Sequence, residues 1–356
     1  MTEPCDLSAV EARRLIGRKR LSPIELVESC IARIEMVNPT VNAVVAECYD
    51  RARAEARAAT EALVGGAELP PLHGLPFGVK DLNDTEGLVT TYGSPLYRDN
   101  VPEKDELLVA KLRQAGGIVL GKTATPEFGA GGNTTVNEVH GYTRNAFDPS
   151  RACGGSSGGS GVALACGMMP LCTGSDSGGS LRKPATFSGV SAIRPTTGLV
   201  PSDKRGVGFT NFSVQGPMAR TADDCALMLS VMAGDDVEDP LSFNVRREDY
   251  RQLPEVDLST LRVAISVDFG WAPVEHGIRD TFEARLKRFQ SVFKSCERFD
   301  PSLDTALDVF WILRGVQFLA SHLERYRNHR DQVGQNIVAN VEAGLEMKPE
   351  DIGWAN

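Results

Sequence analysis

The sequence contains no C-x-x-C pair, although it carries eight cysteines: Cys5, Cys30, Cys48, Cys153, Cys166, Cys172, Cys225 and Cys296. Scattered in this way, they predict reduced, mostly buried thiols in a cytoplasmic protein and argue against a disulfide framework or a zinc site. Long apolar runs are also missing. The longest stretch free of charge and strong polarity, residues 162–172, falls well short of the ~20 needed to span a bilayer and contains glycine and proline. The opening MTEPCDLSAVEARR has acidic residues and no apolar segment, so no signal peptide is expected there. Nor is there a block of Lys and Arg. The net charge is −9 and the pI near 5.2, a poor basis for gripping nucleic-acid phosphates. No internal repeat is visible. The expected partner is a small molecule, with no nucleic acid and no membrane, and the sequence leaves a homodimer open.

What is present is enough for a large core: 356 residues, 42% hydrophobic and 24% charged, ordinary for a soluble globular protein. Ser22-Pro23-Ile24-Glu25 is a capping box with proline at the first helical position. The stripe Ile24, Val27, Ile31 and Ile34 predicts a helix that Asn38-Pro39 ends. Ala46 to Leu63 predicts a second, more exposed helix, broken by Gly65-Gly66 and Pro70-Pro71. LHGLPFGVKDLND reads as a strand followed by a loop, Asp105 to Ala115 as a helix, and Gly117 to Leu120 as a short buried strand. Ala222 to Ala233 predicts a helix, 234–257 an acidic connector, Leu261 to Ser266 a strand, and the remainder helices. This alternation predicts an α/β fold with a mixed central β-sheet covered by helices.

The 35 glycines cluster in CGGSSGGSG (153–161) and TGSDSGGSLRKP (173–184). Apolar segments lie between these stretches, so they do not behave as a flexible linker. Glycines there permit close backbone approach, and successive exposed N–H groups form an anion-binding concavity. Gly116 to Thr123 matches the phosphate-loop expression, but its Gly-Ile-Val-Leu is strand-like and a helix precedes it. Gly154 to Gly158 and Gly155 to Gly159 match a G-x-S-x-G nucleophile elbow, which requires an acid and a histidine; His276, His322 and His329 are candidates, and nothing around them marks them. Cys153 is a further nucleophile candidate, although an unreactive thiol is the plainer assignment. There remains a serine nucleophile without an evident histidine. A lysine serves as base where burial lowers its pKa, and Lys80, at the end of an apolar run, suggests itself.

GLPFGVKD around Lys80, LGKTATPEFGAGGN from Leu120, GGSSGGSG from Gly154 and GSDSGGSLRKP from Gly174 together resemble the amidase signature family in order and spacing. SAIRPTTGLVPSDKRG and GPMARTADD extend the resemblance, which runs from about Leu7 to Gly234 and is thin thereafter. It implies a Ser-Ser-Lys triad: Ser180 in the place of the nucleophile, Ser156 in that of a bridging serine after a cis Gly155–Ser156 peptide, and Lys80 in that of the general base. It further implies an oxyanion hole from the N–H groups of Ser177, Gly178 and Gly179, with Asp176 and Arg182 supporting that loop; the plain alternative for the last two is a surface ion pair. No cofactor or metal is implied.

Family members usually continue beyond the point where this sequence stops. The expectation is therefore one domain over 1–356 lacking its C-terminal part, with an N-terminal helical region 1–65, a catalytic core 70–234, and a connector with further strand and helices over 235–356. The function expected is amide hydrolysis through a Ser180 acyl-enzyme. The alternatives are the glutaminase subunit of a tRNA-dependent amidotransferase, a nucleotide-binding module using Gly116 to Thr123, and a catalytically inactive, truncated binding protein.

Overall fold

The computed structural model describes residues 3–65, 68–251 and 253–356. They fall into two compact units, one running to Leu253 and taking in Gln317–Leu345, the other comprising Pro254–Val316 and Glu346–Asn356.

The larger unit is built on a six-stranded mixed sheet. Its strands are β1 (Val44–Glu47), β2 (Pro76–Lys80), β3 (Ile118–Thr123), β6 (Leu171–Asp176), β7 (Ser191–Ala192) and β8 (Val214–Ala219), arranged β1-β3-β2-β6-β8-β7. A separate small hairpin pairs β4 (Val136–Asn137) with β5 (Gly141–Tyr142). β2 runs parallel to both its neighbours, β3 and β6, whereas β1, β8 and β7 pair antiparallel. Every residue of β2 and β3 is buried, as expected of strands covered on both faces.

Helices α1 (Ala9–Gly17), α2 (Pro23–Val41), α3 (Tyr49–Val64), α4 (Leu107–Gln114), α5 (Gly158–Ala165), α6 (Arg182–Ser188) and α7 (Ala222–Met232) accompany the sheet. α2 packs on α3 and β2, α5 on β2, β3, β6 and β8, and α7 on β6, β7 and β8. The Ser22–Glu25 capping box forms as read, and Leu26, Val27, Ile31 and Ile34 are buried. The helix does not end at Asn38-Pro39, however. It continues to Val41 and closes on Asn42 in the left-handed region, φ 52°. Pro39 and Glu35 are both exposed, so the carbonyl that the missing proline N–H leaves unpaired faces water. The Asn38 side chain then accepts from the N–H groups of Ala43 and Val44, 2.8 and 2.9 Å, and leads the chain into β1.

That strand corrects a second expectation: Ala46 and Glu47 belong to it, and α3 begins only at Tyr49. Of the breakers after α3, Gly66 lies outside the described residues. A second cluster, with Ala130, Phe318, Val333, Ile337, Val338 and Val341, is formed with α10 (Gln335–Leu345) and the part of α9 (Ala306–Asn328) that belongs to this unit.

In the smaller unit, β9 (Arg262–Ile265) and β10 (Ser295–Arg298) form a parallel pair connected through α8 (His276–Phe289), and α11 (Pro349–Ala355) belongs to the same unit. The remainder of the chain is therefore not all helical. β10 reads SCER, too polar to announce a strand, and its state is set by pairing with β9.

Candidate active site

The C-terminal ends of parallel strands form a shared edge, the usual place for chemistry in α/β sheets. Here β2, β3 and β6 end at that edge with Lys80, Thr123 and Asp176. Lys80 is fully buried. Its Nζ donates to Ser156 Oγ at 2.8 Å and to Ser175 Oγ at 2.9 Å. Burial pushes the amine down to about 7, with the Asp176 carboxylate pulling it part of the way back, because an apolar surrounding disfavours the charged form.

Ser156, also buried, follows a cis Gly155–Ser156 peptide. It is delivered by the turn into α5. The helix start fits only as glycine: a Cβ on Gly159 would lie 2.2 Å from the main-chain nitrogen of Ala124, just past β3. Ser180 lies in the turn between β6 and α6 and is partly exposed. Its carbonyl accepts from Ser157 N–H at 3.2 Å, which ties it to the residue after Ser156. Among the described residues no hydrogen bond joins the Ser156 and Ser180 hydroxyls.

The loop between these elements is organised by Asp176, which is not part of a surface ion pair because its side chain is fully buried. It accepts from Gly179 N–H (2.8 Å), Leu181 N–H (3.2 Å), Arg182 Nε (3.0 Å) and Arg194 Nη1 (3.0 Å). Burial pushes this carboxyl up, but the Arg182 bonds and the two N–H groups outweigh it and hold it at about 2. The Gly179 N–H is thus committed to Asp176. Among the described residues those of Ser177 and Gly178 have no such partner. Gly179, at φ +103°, makes the turn possible.

Three residues of this site were not singled out in the sequence. Ser175 and Thr173 alternate along β6 and both meet Lys80, one at its amine and one at its N–H (2.8 Å). The period-two spacing within TGSD was the signal available. Arg194, in SAIRPTTG, joins Arg182 on Asp176.

The competing motifs take other places. Lys122 of the phosphate-loop match lies on β3, fully buried. His322 packs against Phe128 and Phe318, ring centroids 4.9 and 5.2 Å apart, and His276 opens α8. Cys153 is buried, and burial pushes its thiol up. Among the described residues one grouping could offer metal ligands, Glu3, Cys5 and Asp6; Arg33 already pairs with both carboxylates, at 2.9 and 3.1 Å. No helix among the described residues is long and apolar enough to cross a membrane. A cavity of about 480 Å³ is lined by Glu127, Gly131, Thr134, Asn137, Gly334 and Asn336, among others. Its Gly131–Thr134 wall backs directly onto Gly155.

The amidase family profile matches residues 25–348. The chain is 35% identical over 352 residues to an acylamidase of Rhodococcus erythropolis, covering 98% of this chain and 74% of that protein. It is 36% identical over 325 residues to one subunit of the glutamyl-tRNA(Gln) amidotransferase of Roseiflexus castenholzii, covering 90% of this chain and 65% of that one. The fold is similar to that of a bacterial aryl acylamidase of the amidase signature enzymes, with a TM-score of 0.89 at 29% identity, over 98% of this chain and 74% of that one. With a mixed sheet of this kind and these matches along most of its length, the chain belongs to the amidase signature family and is a hydrolase of carbon–nitrogen bonds in amides.

Proposed function

We propose that the protein hydrolyses a small carboxylic amide through an acyl-enzyme on Ser180, with Ser156 as proton relay and uncharged Lys80 as base. The observation that carries this is the fully buried Lys80 amine 2.8 Å from Ser156 Oγ. Neutral Lys80 takes the Ser156 proton as Ser156 takes that of Ser180, and Ser180 Oγ bonds to the amide carbonyl carbon. The tetrahedral oxyanion is met by the N–H groups of Ser177 and Gly178. Gly179, expected to share that task, instead fixes the turn through Asp176. An oxyanion donor of this kind lowers the barrier by about 3–4 kcal/mol. The C–N bond then breaks, the amine departs with the proton returned through Ser156, and water hydrolyses the ester to the carboxylate.

The likeness to the acylamidases favours an acyl amide with a free amine product. The cavity behind Gly155 has room for a small substituent. Eight cysteines, none in a disulfide, suit a reducing compartment, and we place the enzyme in the cytoplasm. The test is Ser180→Ala, which abolishes amide turnover and fluorophosphonate labelling while leaving the unfolding transition in place; retained turnover would remove Ser180 as nucleophile.

A second function is favoured by one observation, the 36% identity to an amidotransferase component. In that case glutamine is the amide and the ammonia passes to a partner. Glutamine hydrolysis that depends on a copurifying protein would select it over the stand-alone amidase.

A further inference from the structure

Two lysines are fully buried one strand apart, Val79 of β2 pairing with Lys122 of β3. The amine of Lys80 has two hydroxyl partners. That of Lys122 has three oxygen acceptors: the Asn83 carbonyl, Thr85 Oγ1 and Thr90 Oγ1, the latter two at 3.0 Å. Three acceptors satisfy all three N–H bonds of an ammonium. Burial pushes this amine down to about 8, with Asp81, Glu106 and Asp84 pulling it part of the way back and Lys204 adding to the fall, so the ammonium prevails below that pH.

Asn83 lies between the two lysines, and each of its polar groups is engaged. Its N–H donates to the Lys80 carbonyl at 2.9 Å. Its Oδ1 accepts from Thr173 Oγ1 at 3.3 Å, and the same Thr173 oxygen accepts the Lys80 N–H at 2.8 Å. Its Nδ2 donates to Glu106 Oε1 at 2.8 Å, and its carbonyl accepts from Lys122. The main chain of Lys80 is therefore gripped on both its N–H and its carbonyl by a ring that closes through Asn83.

We propose that Asn83 and Lys122 are positioning residues for the hydrolysis: the Lys122 ammonium anchors Asn83, and Asn83 with Thr173 fixes the main chain from which the Lys80 amine reaches Ser156. This rests on the function proposed above. A lysine side chain has four rotatable bonds, so its amine holds a 2.8 Å contact only if its root is immobile. A displacement of about 1 Å costs about 100-fold in rate. Loosening the ring also admits water to Lys80, on which the Asp176 carboxylate of β6 acts as the opposing charge, and an amine in water returns toward its ordinary pKa.

The test is the rate of fluorophosphonate labelling at Ser180 between pH 5.5 and 9.5, for the wild type, Lys122→Met, Lys122→Arg, Thr173→Val and the Lys122→Met/Thr173→Val pair. The expected result is labelling about 100-fold slower in Lys122→Met and Thr173→Val, with the acid limb of the profile moved up by about one pH unit or more, since each unit reflects the amine's return toward water. Lys122→Arg recovers part of the rate. The double variant is slower than either single but by less than the product of their two effects, because both substitutions loosen the one ring that holds the Lys80 main chain. Thr173→Val keeps the side-chain shape and decides the matter if Lys122→Met does not fold. Near-wild-type rates with an unmoved acid limb in folded variants overturn the proposal, as does a loss of rate that only tracks the folded fraction. An unlabelled wild type instead overturns the Ser180 function itself, and this proposal with it.

Discussion

The Lys80 amine lies 2.8 Å from the Ser156 hydroxyl with no surface of its own exposed to water. Its two close partners are hydroxyls, and the opposing charge that acts on it, Asp176, is already paired with two arginines. Such surroundings bring the lysine down to about 7, so that the uncharged form, which the proposed base role requires, is populated at neutral pH.

The pH–rate profile follows with a definite sign. Below a pKa of about 7 the amine is protonated and cannot accept the Ser156 proton. Acylation therefore rises with pH through about 7 and levels off above it. Lys80→Met slows acylation by orders of magnitude and abolishes that limb; an unchanged rate would return a histidine base to contention. Steady-state turnover of an aryl amide across pH 5.5 to 9 checks both.

Stability carries the same signature. The folded-state pKa of Lys80 is depressed to about 7, against about 10.4 in the unfolded chain. Between these values the unfolded state binds more protons, so stability rises with pH. Chemical denaturation of the wild type gains roughly 2 kcal/mol from this group between pH 7 and 9. Lys80→Met lacks that gain, and a variant with the same pH slope as the wild type would count against the depressed pKa.

Ser175 holds the second bond to the amine. Ser175→Ala removes one acceptor and slows acylation by about tenfold, the rate equivalent of roughly 1.4 kcal/mol. Ser175→Thr retains the hydroxyl and most of the rate. Single-turnover kinetics on the two variants separate this role from a packing effect.

Burial pushes the Asp176 carboxyl up, but Arg182 and the Gly179 and Leu181 N–H groups outweigh it and hold it at about 2. Its stabilisation is present above the ordinary carboxylate pKa and is lost as pH falls through about 2. Asp176→Asn is less stable at neutral pH, and its acid unfolding curve is flatter between pH 4 and 2. Activity falls as well, since the Gly179 and Leu181 N–H groups lose their anchor.

Gly159→Ala tests the packing beneath Ser156. The added methyl meets the Ala124 nitrogen at 2.2 Å and the Ala43 carbonyl at 2.6 Å. Overpacking against main chain, which cannot yield as a side chain does, destabilises by roughly 3 kcal/mol or more. Equilibrium unfolding in urea measures it.

Helix–strand alternation was enough to give the α/β architecture, and the end of an apolar run suggested Lys80, whereas Ser156 and Asp176 were named only through the resemblance of the four motif blocks to the family. Ser175 and Thr173 escaped notice since what makes them matter is the parallel pairing of β6 with β2, Phe77 against Leu171, and pairing register is not written locally. Arg194 reaches Asp176 from 18 residues away. β10 was unreadable for a related reason: Ser295–Arg298 has no apolar alternation and becomes a strand only beside β9.

The most direct measurement is a heteronuclear NMR titration of the Lys80 side chain in the intact protein, following its Cε and Nζ resonances. The expected midpoint is near pH 7, matching the acid limb of acylation. A midpoint near the ordinary lysine value of about 10.4 would contradict it, because Lys80 would then be an ammonium at every pH where the enzyme works.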